Sequence, residues 1–216
     1  VKNKMSLIIG TVALVIAFFL IGMKIYKNQE AERLGFMAKE NFEAFVPEYA
    51  PRLGPADAKV YLVEFLDPEC ESCREFYPFV KMIMDEHPGK VQLVIRYAPF
   101  HGNSKFIIKV LEASRKQGKY WEALETLFRY QPYWGSHHHP QPELIWKYLP
   151  EAGVDIEQVK NDMNDPAIDA MIEKEVQAVQ TLGIRGTPTF FVNGKPLESF
   201  GIEQLRTLVR ETVEQQ

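Results

Sequence analysis

Apolar and polar positions divide the 216-residue chain into one membrane-length apolar run and a patterned remainder. Residues 5–23, MSLIIGTVALVIAFFLIGM, carry neither charge nor proline. At about 1.5 Å per residue, a helix of this length can cross the roughly 30 Å hydrocarbon core of a bilayer. Lys2 and Lys4 flank one end, and Lys24 and Lys27 the other, where long lysine stems can reach headgroups. A cleaved signal peptide is the rival reading. Its apolar region would be about 7–15 residues and would end in a small-residue cleavage site, whereas Lys24-Ile25-Tyr26-Lys27 follows here. The expectation is an uncleaved transmembrane anchor over residues 1–27. Positive residues on both sides leave its orientation undecided by charge.

Beyond the anchor, Ala31, Leu34, Ala38, Phe42 and Phe45 recur at spacings of three or four and predict a helix within 24–50. Residues 28–54 are expected to form a helical stalk. It rests on its own domain or, through 28–46, on a second copy. Pro47, Pro51, Gly54 and Pro55 break it. Residues 59–66 (KVYLVEFL) and 91–97 (VQLVIRY) predict two buried strands. Between them, 70–86 predicts a helix with Phe76, Phe79, Val80 and Ile83 on one face. A strand–helix–strand crossover of this length implies a parallel, right-handed unit. Helices are then expected near 103–117, 120–129, 142–149, 155–163 and 165–182, with Asn103-Ser104, Asp155 and Asp165 as caps. Asn193-Gly194, between short runs at 188–192 and 195–197, signals a hairpin, and 202–213 a terminal amphipathic helix.

Composition narrows the class. Hydrophobic residues make up 46% of the chain and charged residues 25%, enough for one cored domain and too apolar for global disorder. The first 27 residues carry four lysines and no acid. That leaves 21 basic against 29 acidic residues, a net of −8 on the remainder. An acidic domain is a poor nucleic-acid binder, so no nucleic-acid partner is expected.

The chain has two cysteines, Cys70 and Cys73, in Cys70-Glu71-Ser72-Cys73 at a strand-to-helix junction. A disulfide framework needs several spaced pairs. A zinc site needs two further ligands. A bridge across four residues removes little loop entropy. Redox chemistry suits the pair better than these or than two packed core thiols. The helix N-terminus supplies N–H groups and partial positive charge that stabilise a Cys70 thiolate, and Cys73, one turn deeper, can resolve a mixed disulfide.

With the cysteines placed, EFLDPECESC (64–73), the amphipathic helix after it and GTPTFFVNG (186–194) resemble the DsbA-like branch of the thioredoxin superfamily over roughly 55–214. The resemblance implies an α/β thioredoxin fold with an inserted all-helical subdomain at about 101–182, preceded here by the transmembrane helix. It implies a protein-disulfide oxidoreductase with a Cys70–Cys73 disulfide and no soluble cofactor or metal. Gly186-Thr187-Pro188 matches the family's cis-proline loop, where Thr187 would pair with substrate. Strand directions independently set Pro188 at the same sheet edge as Cys70. Glu64 matches a buried acid that moves the proton of the deeper cysteine.

Glu71-Ser72 departs from the Pro-His of the best-known oxidases and predicts a higher Cys70 pKa and a less oxidising couple. His101 follows the second strand and is expected near Cys70, tuning the thiolate or touching substrate, or else serving as a loop or capping residue. His137-His138-His139 is a solvated loop or a metal site. Tyr133, Trp134 and Trp146 are expected in packing. The expected partners are thiol- or disulfide-bearing clients and a membrane redox protein that recycles the pair. The expected location is the inner membrane with the catalytic domain outside the cytoplasm. Disulfide formation is the first direction considered. Isomerisation or reduction is the second, and a copper or zinc chaperone using His137–His139 with the cysteines the third.

Overall fold

The computed structural model describes residues 2–40, 45–136 and 139–216. Helix α1 (Lys2–Glu40) is one uninterrupted element of 39 residues that carries the apolar run Ile9–Tyr26, none of it buried. It ends before the prolines expected to break it, and 47–50 form turns. Phe42 of the expected stripe lies outside the described residues. Ala31, Leu34 and Ala38 are described in backbone only.

The end of the segment expected to be stalk packs on its own domain, the first of the two placements expected for it. Phe45, Val46 and Ala50 are buried, and Arg52–Leu53 forms a short strand, β1. It pairs antiparallel with β3 (Val91–Tyr97), which pairs in parallel with β2 (Val60–Leu66). Two residues are too few to show a period-two pattern, so β1 had no signal of its own. The other sheet strands are β4 (Thr189–Val192) and β5 (Lys195–Pro196), giving the order β1-β3-β2-β4-β5 with β4 antiparallel to β2.

Side chains of β2 alternate between two cores. Leu62 and Leu66 face one cluster, with Leu93, Ile95, Phe190 and Val192. Val63 and Phe65 face the other, with Val94 and Phe191. Both faces are covered, so β2 and β3 are apolar along nearly their whole length. The first face is covered by α2 (Glu71–Asp85), through Cys73, Tyr77, Val80 and Ile83, and by α8 (Ile202–Glu214), through Leu205 and Val209. Tyr77 takes the inward position expected of Phe79, which is exposed.

The segment between β3 and β4 is helical among the described residues: α3 (Ser104–Lys116), α4 (Tyr120–Trp134), α5 (Ile145–Tyr148), α6 (Ile156–Asp162) and α7 (Pro166–Leu182). Asp155 and Asp165 cap α6 and α7 by accepting from the Gln158 and Ala167 N–H groups. The helix expected over 142–149 is instead two 3-10 turns around the short α5. α7 crosses from one core to the other: Ile168 and Ile172 join the first, Val179 and Leu182 the second. It is registered on the sheet by a fully buried ion pair, with Arg96 Nε 3.0 Å from both Glu175 oxygens. The expected hairpin is present, with Asn193 (φ 47°) and Gly194 (φ 80°) both left-handed, as a two-residue turn of this type requires.

Candidate active site

The exits of β2 and β3 share one sheet edge, and the chemistry collects there. Asp67 Oδ1 accepts from the Glu69 N–H, and the Cys70 N–H donates to the Asp67 carbonyl (3.0 Å). This tight turn sets Cys70 as the N-cap of α2 in an extended conformation (φ −75°, ψ 122°). Pro78 removes one hydrogen bond from α2, which is held by its buried face. Gln131 of α4 donates its amide to the carbonyls of Pro68 (3.0 Å) and Cys70 (3.1 Å), tying the inserted helices to the cysteine loop.

Both cysteines are free thiols. Cys70 is less accessible than an open nucleophile: 7% of it is exposed, against none of Cys73. Its thiol faces the Thr187 carbonyl at 3.4 Å, where the Thr187–Pro188 peptide is cis and Pro188 is buried. Cys70 is lowered to about 6, chiefly by a hydrogen bond from the Cys73 thiol. Burial opposes this, while the Thr187 side chain and the Cys73 and Ser72 N–H groups assist. Cys73 is raised well above the usual thiol range by burial, by its hydrogen bond to Cys70 and by Glu64, with the Asp67 N–H pulling the other way.

Glu64 is fully buried. Neither carboxyl oxygen meets a hydrogen-bonding group of the described residues. Burial first, and the charge of Cys70 second, push it up to about 8, so at neutral pH it holds a proton close to both cysteines.

Glu71 and Ser72 are exposed at the helix start. Glu69 accepts from the Asn103 N–H and side-chain amide, both at 2.8 Å. His101 meets Asp67, its Nδ1 lying 2.8 Å from Oδ2. His137 and His138 lie outside the described residues, and His139 is exposed. No cluster of three metal-ligating side chains occurs among the described residues. Trp134 is fully buried and donates to the Leu127 carbonyl (2.9 Å). Trp146 packs against Phe106, whereas Tyr133 is largely exposed.

Two residues of this site gave no clear signal in the sequence. Gln131 reaches the cysteine loop from 61 positions away, and only the packed fold reveals it. Asp67, three residues before Cys70 and at a strand exit, had a positional hint, but its partners come from another loop.

Known proteins match this arrangement. The family described as Thioredoxin matches residues 47–211. Among solved structures, a thioredoxin-like oxidoreductase from Silicibacter pomeroyi DSS-3 is 30% identical with a TM-score of 0.70, covering 81% of this chain and 98% of its own. BdbD from Bacillus subtilis is 25% identical with a TM-score of 0.68, covering 76% and 93%. The thiol-disulfide exchange protein alpha-DsbA2 from Wolbachia pipientis, at 21% identity and a TM-score of 0.70 over 88% and 97%, shares the fold. A curated relative, the Na(+)/H(+) antiporter NhaA of Herminiimonas arsenicoxydans, is 28% identical over 88% of this chain. The chain spans only 30% of that relative's length.

Proposed function

This chain belongs to the thioredoxin family, in its DsbA-like form with an apolar N-terminal helix, and from that premise we propose that Cys70 and Cys73 form disulfides in client proteins outside the cytoplasm. The observation that carries the reading is the geometry of the pair: Cys70 caps α2 with its thiol at the cis Thr187–Pro188 peptide, and Cys73 lies fully buried, as does Glu64. In the oxidised pair, a client thiolate attacks Cys70 Sγ and the Cys70–Cys73 bond breaks. Cys73 leaves with the electron pair and takes a proton from Glu64. A second client thiolate then attacks the client sulfur of the mixed disulfide, forming the client disulfide and releasing the Cys70 thiolate. Two electrons have passed to the pair, and a membrane redox partner removes them. Thr187 pairs with the client backbone beside Cys70. α1 anchors the enzyme, with its domain in an oxidising compartment.

A second direction, isomerisation or reduction starting from the dithiol, is favoured by the value near 6. That lies closer to the roughly 7 of thioredoxin than to the roughly 3.5 of a strong oxidant. Equilibrating the pair against glutathione separates the two. A potential near about −120 mV supports client oxidation, and one near about −270 mV supports reduction and removes the first reading.

A further inference from the structure

The loop between the cysteines, Glu71-Ser72, offers no cation to the Cys70 sulfur. An imidazole that interacts with Cys70 comes from elsewhere in the chain, and a fully buried carboxylate holds it. Asp67 takes five hydrogen bonds. Oδ1 accepts from the Glu69 N–H (2.9 Å) and the Ser104 hydroxyl (2.6 Å). Oδ2 accepts from the Phe100 N–H (2.7 Å), the His101 N–H (3.1 Å) and His101 Nδ1 (2.8 Å). Every partner can donate, which suits an ionised, acceptor-only carboxylate. The Cys70 N–H in turn donates to the Asp67 backbone carbonyl, so one residue fixes both the cysteine turn and the 100–104 loop.

A clamp alone would need only a neutral Nδ1–H. The surroundings of His101 favour more. Its side chain is 27% exposed, and the charged groups that favour its cation include Asp67, Cys70 and Glu69, all acidic and all on the cysteine loop. Burial works against its charged form, but Asp67, by hydrogen bond and charge, with Cys70 and Glu69, outweighs burial and raises it. Attraction between charges is mutual, so a cation favoured by Cys70 favours the Cys70 thiolate in return, as an addition to the larger contributions of Cys73, Thr187 and Ser72. We infer that Asp67 and His101 form a positioning pair that holds an imidazolium beside Cys70 and stabilises its thiolate from outside the Cys70–Cys73 loop. Neither residue exchanges electrons; Asp67 acts through His101. The inference rests on Cys70 being the reacting sulfur.

The test is the pH dependence of Cys70 alkylation by iodoacetamide in the reduced full chain in detergent micelles, read by mass spectrometry. His101→Asn keeps a donor for Asp67 and removes the charge. It should raise the half-reaction pH by about half a unit to one unit, leaving about two- to fivefold less thiolate at pH 6. A full one-unit shift lowers the pair's potential by at most about 30 mV. Asp67→Asn should shift the midpoint the same way, and the double variant no further than His101→Asn alone. His101→Arg, a permanent cation, should restore most of the shift. An unchanged midpoint in His101→Asn overturns the pair while leaving thiol exchange intact, and it decides the matter even if Asp67→Asn does not fold. A parent chain whose Cys70 stays unreactive below pH 8 overturns the exchange reading itself, and the pair with it.

Discussion

Glu64 sits on a strand between two leucines, in a core that would accept a third apolar side chain. A carboxyl group there, with no hydrogen-bonding partner among the described residues, weakens the fold, and the proton transfer proposed for it is the role that would offset this cost. Its folded value, about 8, lies above its ordinary 4.5. The folded state therefore favours the protonated form. The group's contribution is fully present below about pH 4.5 and is lost as pH rises through about 8. Chemical denaturation of the reduced chain should show stability falling across that window. Glu64→Gln should remove this component of the fall, with a gap on the order of 4 kcal/mol above pH 8. Equal pH slopes in parent and variant would show that Glu64 ionises without penalty. For the cysteines, alkylation of the reduced chain should modify Cys70 with a midpoint near pH 6, while Cys73 stays unmodified until the chain is unfolded. The ordering of the two thiols was legible from their place at a helix start. The depth of Cys70 was not, because the wall over it is built by Thr187 and Pro188, more than a hundred positions away.

At the scale of elements, local signals served well where a few adjacent residues carry the physics. Asp155 and Asp165 cap helices, and Asn193-Gly194 turns a hairpin, because each meets a backbone need within three residues. Signals failed where packing overrides propensity. α4 runs through Pro132 to Trp134, past the expected end at 129, because Gln131 bonds the distant cysteine loop and Trp134 is buried in the core. The Arg96–Glu175 pair belongs to this scale, for it ties α7 to the centre of the sheet. Glu175 also accepts from the Tyr97 N–H (3.0 Å), and Arg96 lies over the Phe65 ring. Removing one partner strands a buried charge. Glu175→Ala should cost about 3–5 kcal/mol in denaturant unfolding, while replacing both residues with apolar ones of similar volume should come close to the parent stability. A loss below about 1 kcal/mol in the single variant would mean that solvent reaches the pair.

For the whole molecule, α1 joins membrane-length and water-facing portions in one continuous helix. Arg185, next to the Gly186-Thr187-Pro188 loop, donates to the Tyr26 hydroxyl (3.0 Å) at the end of the apolar run. The edge that carries Cys70 and the cis-proline thus lies close to where the chain would leave a bilayer. If α1 is a retained anchor, the full chain should stay in the membrane fraction through alkaline carbonate extraction, and sequencing should find its first residues in place. A reporter fused to the C-terminus should be active only outside the cytoplasm. Release by carbonate with loss of the first residues would identify a cleaved signal, and a cytoplasmic C-terminus would invert the proposed topology.

The sequence by itself determined whatever depends on neighbours along the chain. The apolar span, the strand–helix–strand unit, the Cys70-Glu71-Ser72-Cys73 element at a helix start and the hairpin are written in periodicity, spacing and turn chemistry. The tertiary structure alone decided which distant groups surround the sulfur atoms. Gln131 at the cysteine loop, Asp67 gathering Phe100, His101 and Ser104, full burial of Glu64, and the strand and buried residues in the segment expected to be stalk all follow from packing between elements. Thiol acidity depends on burial and on the hydrogen bonds and charges that reach the sulfur, and those contacts exist only once separate segments share one sheet edge.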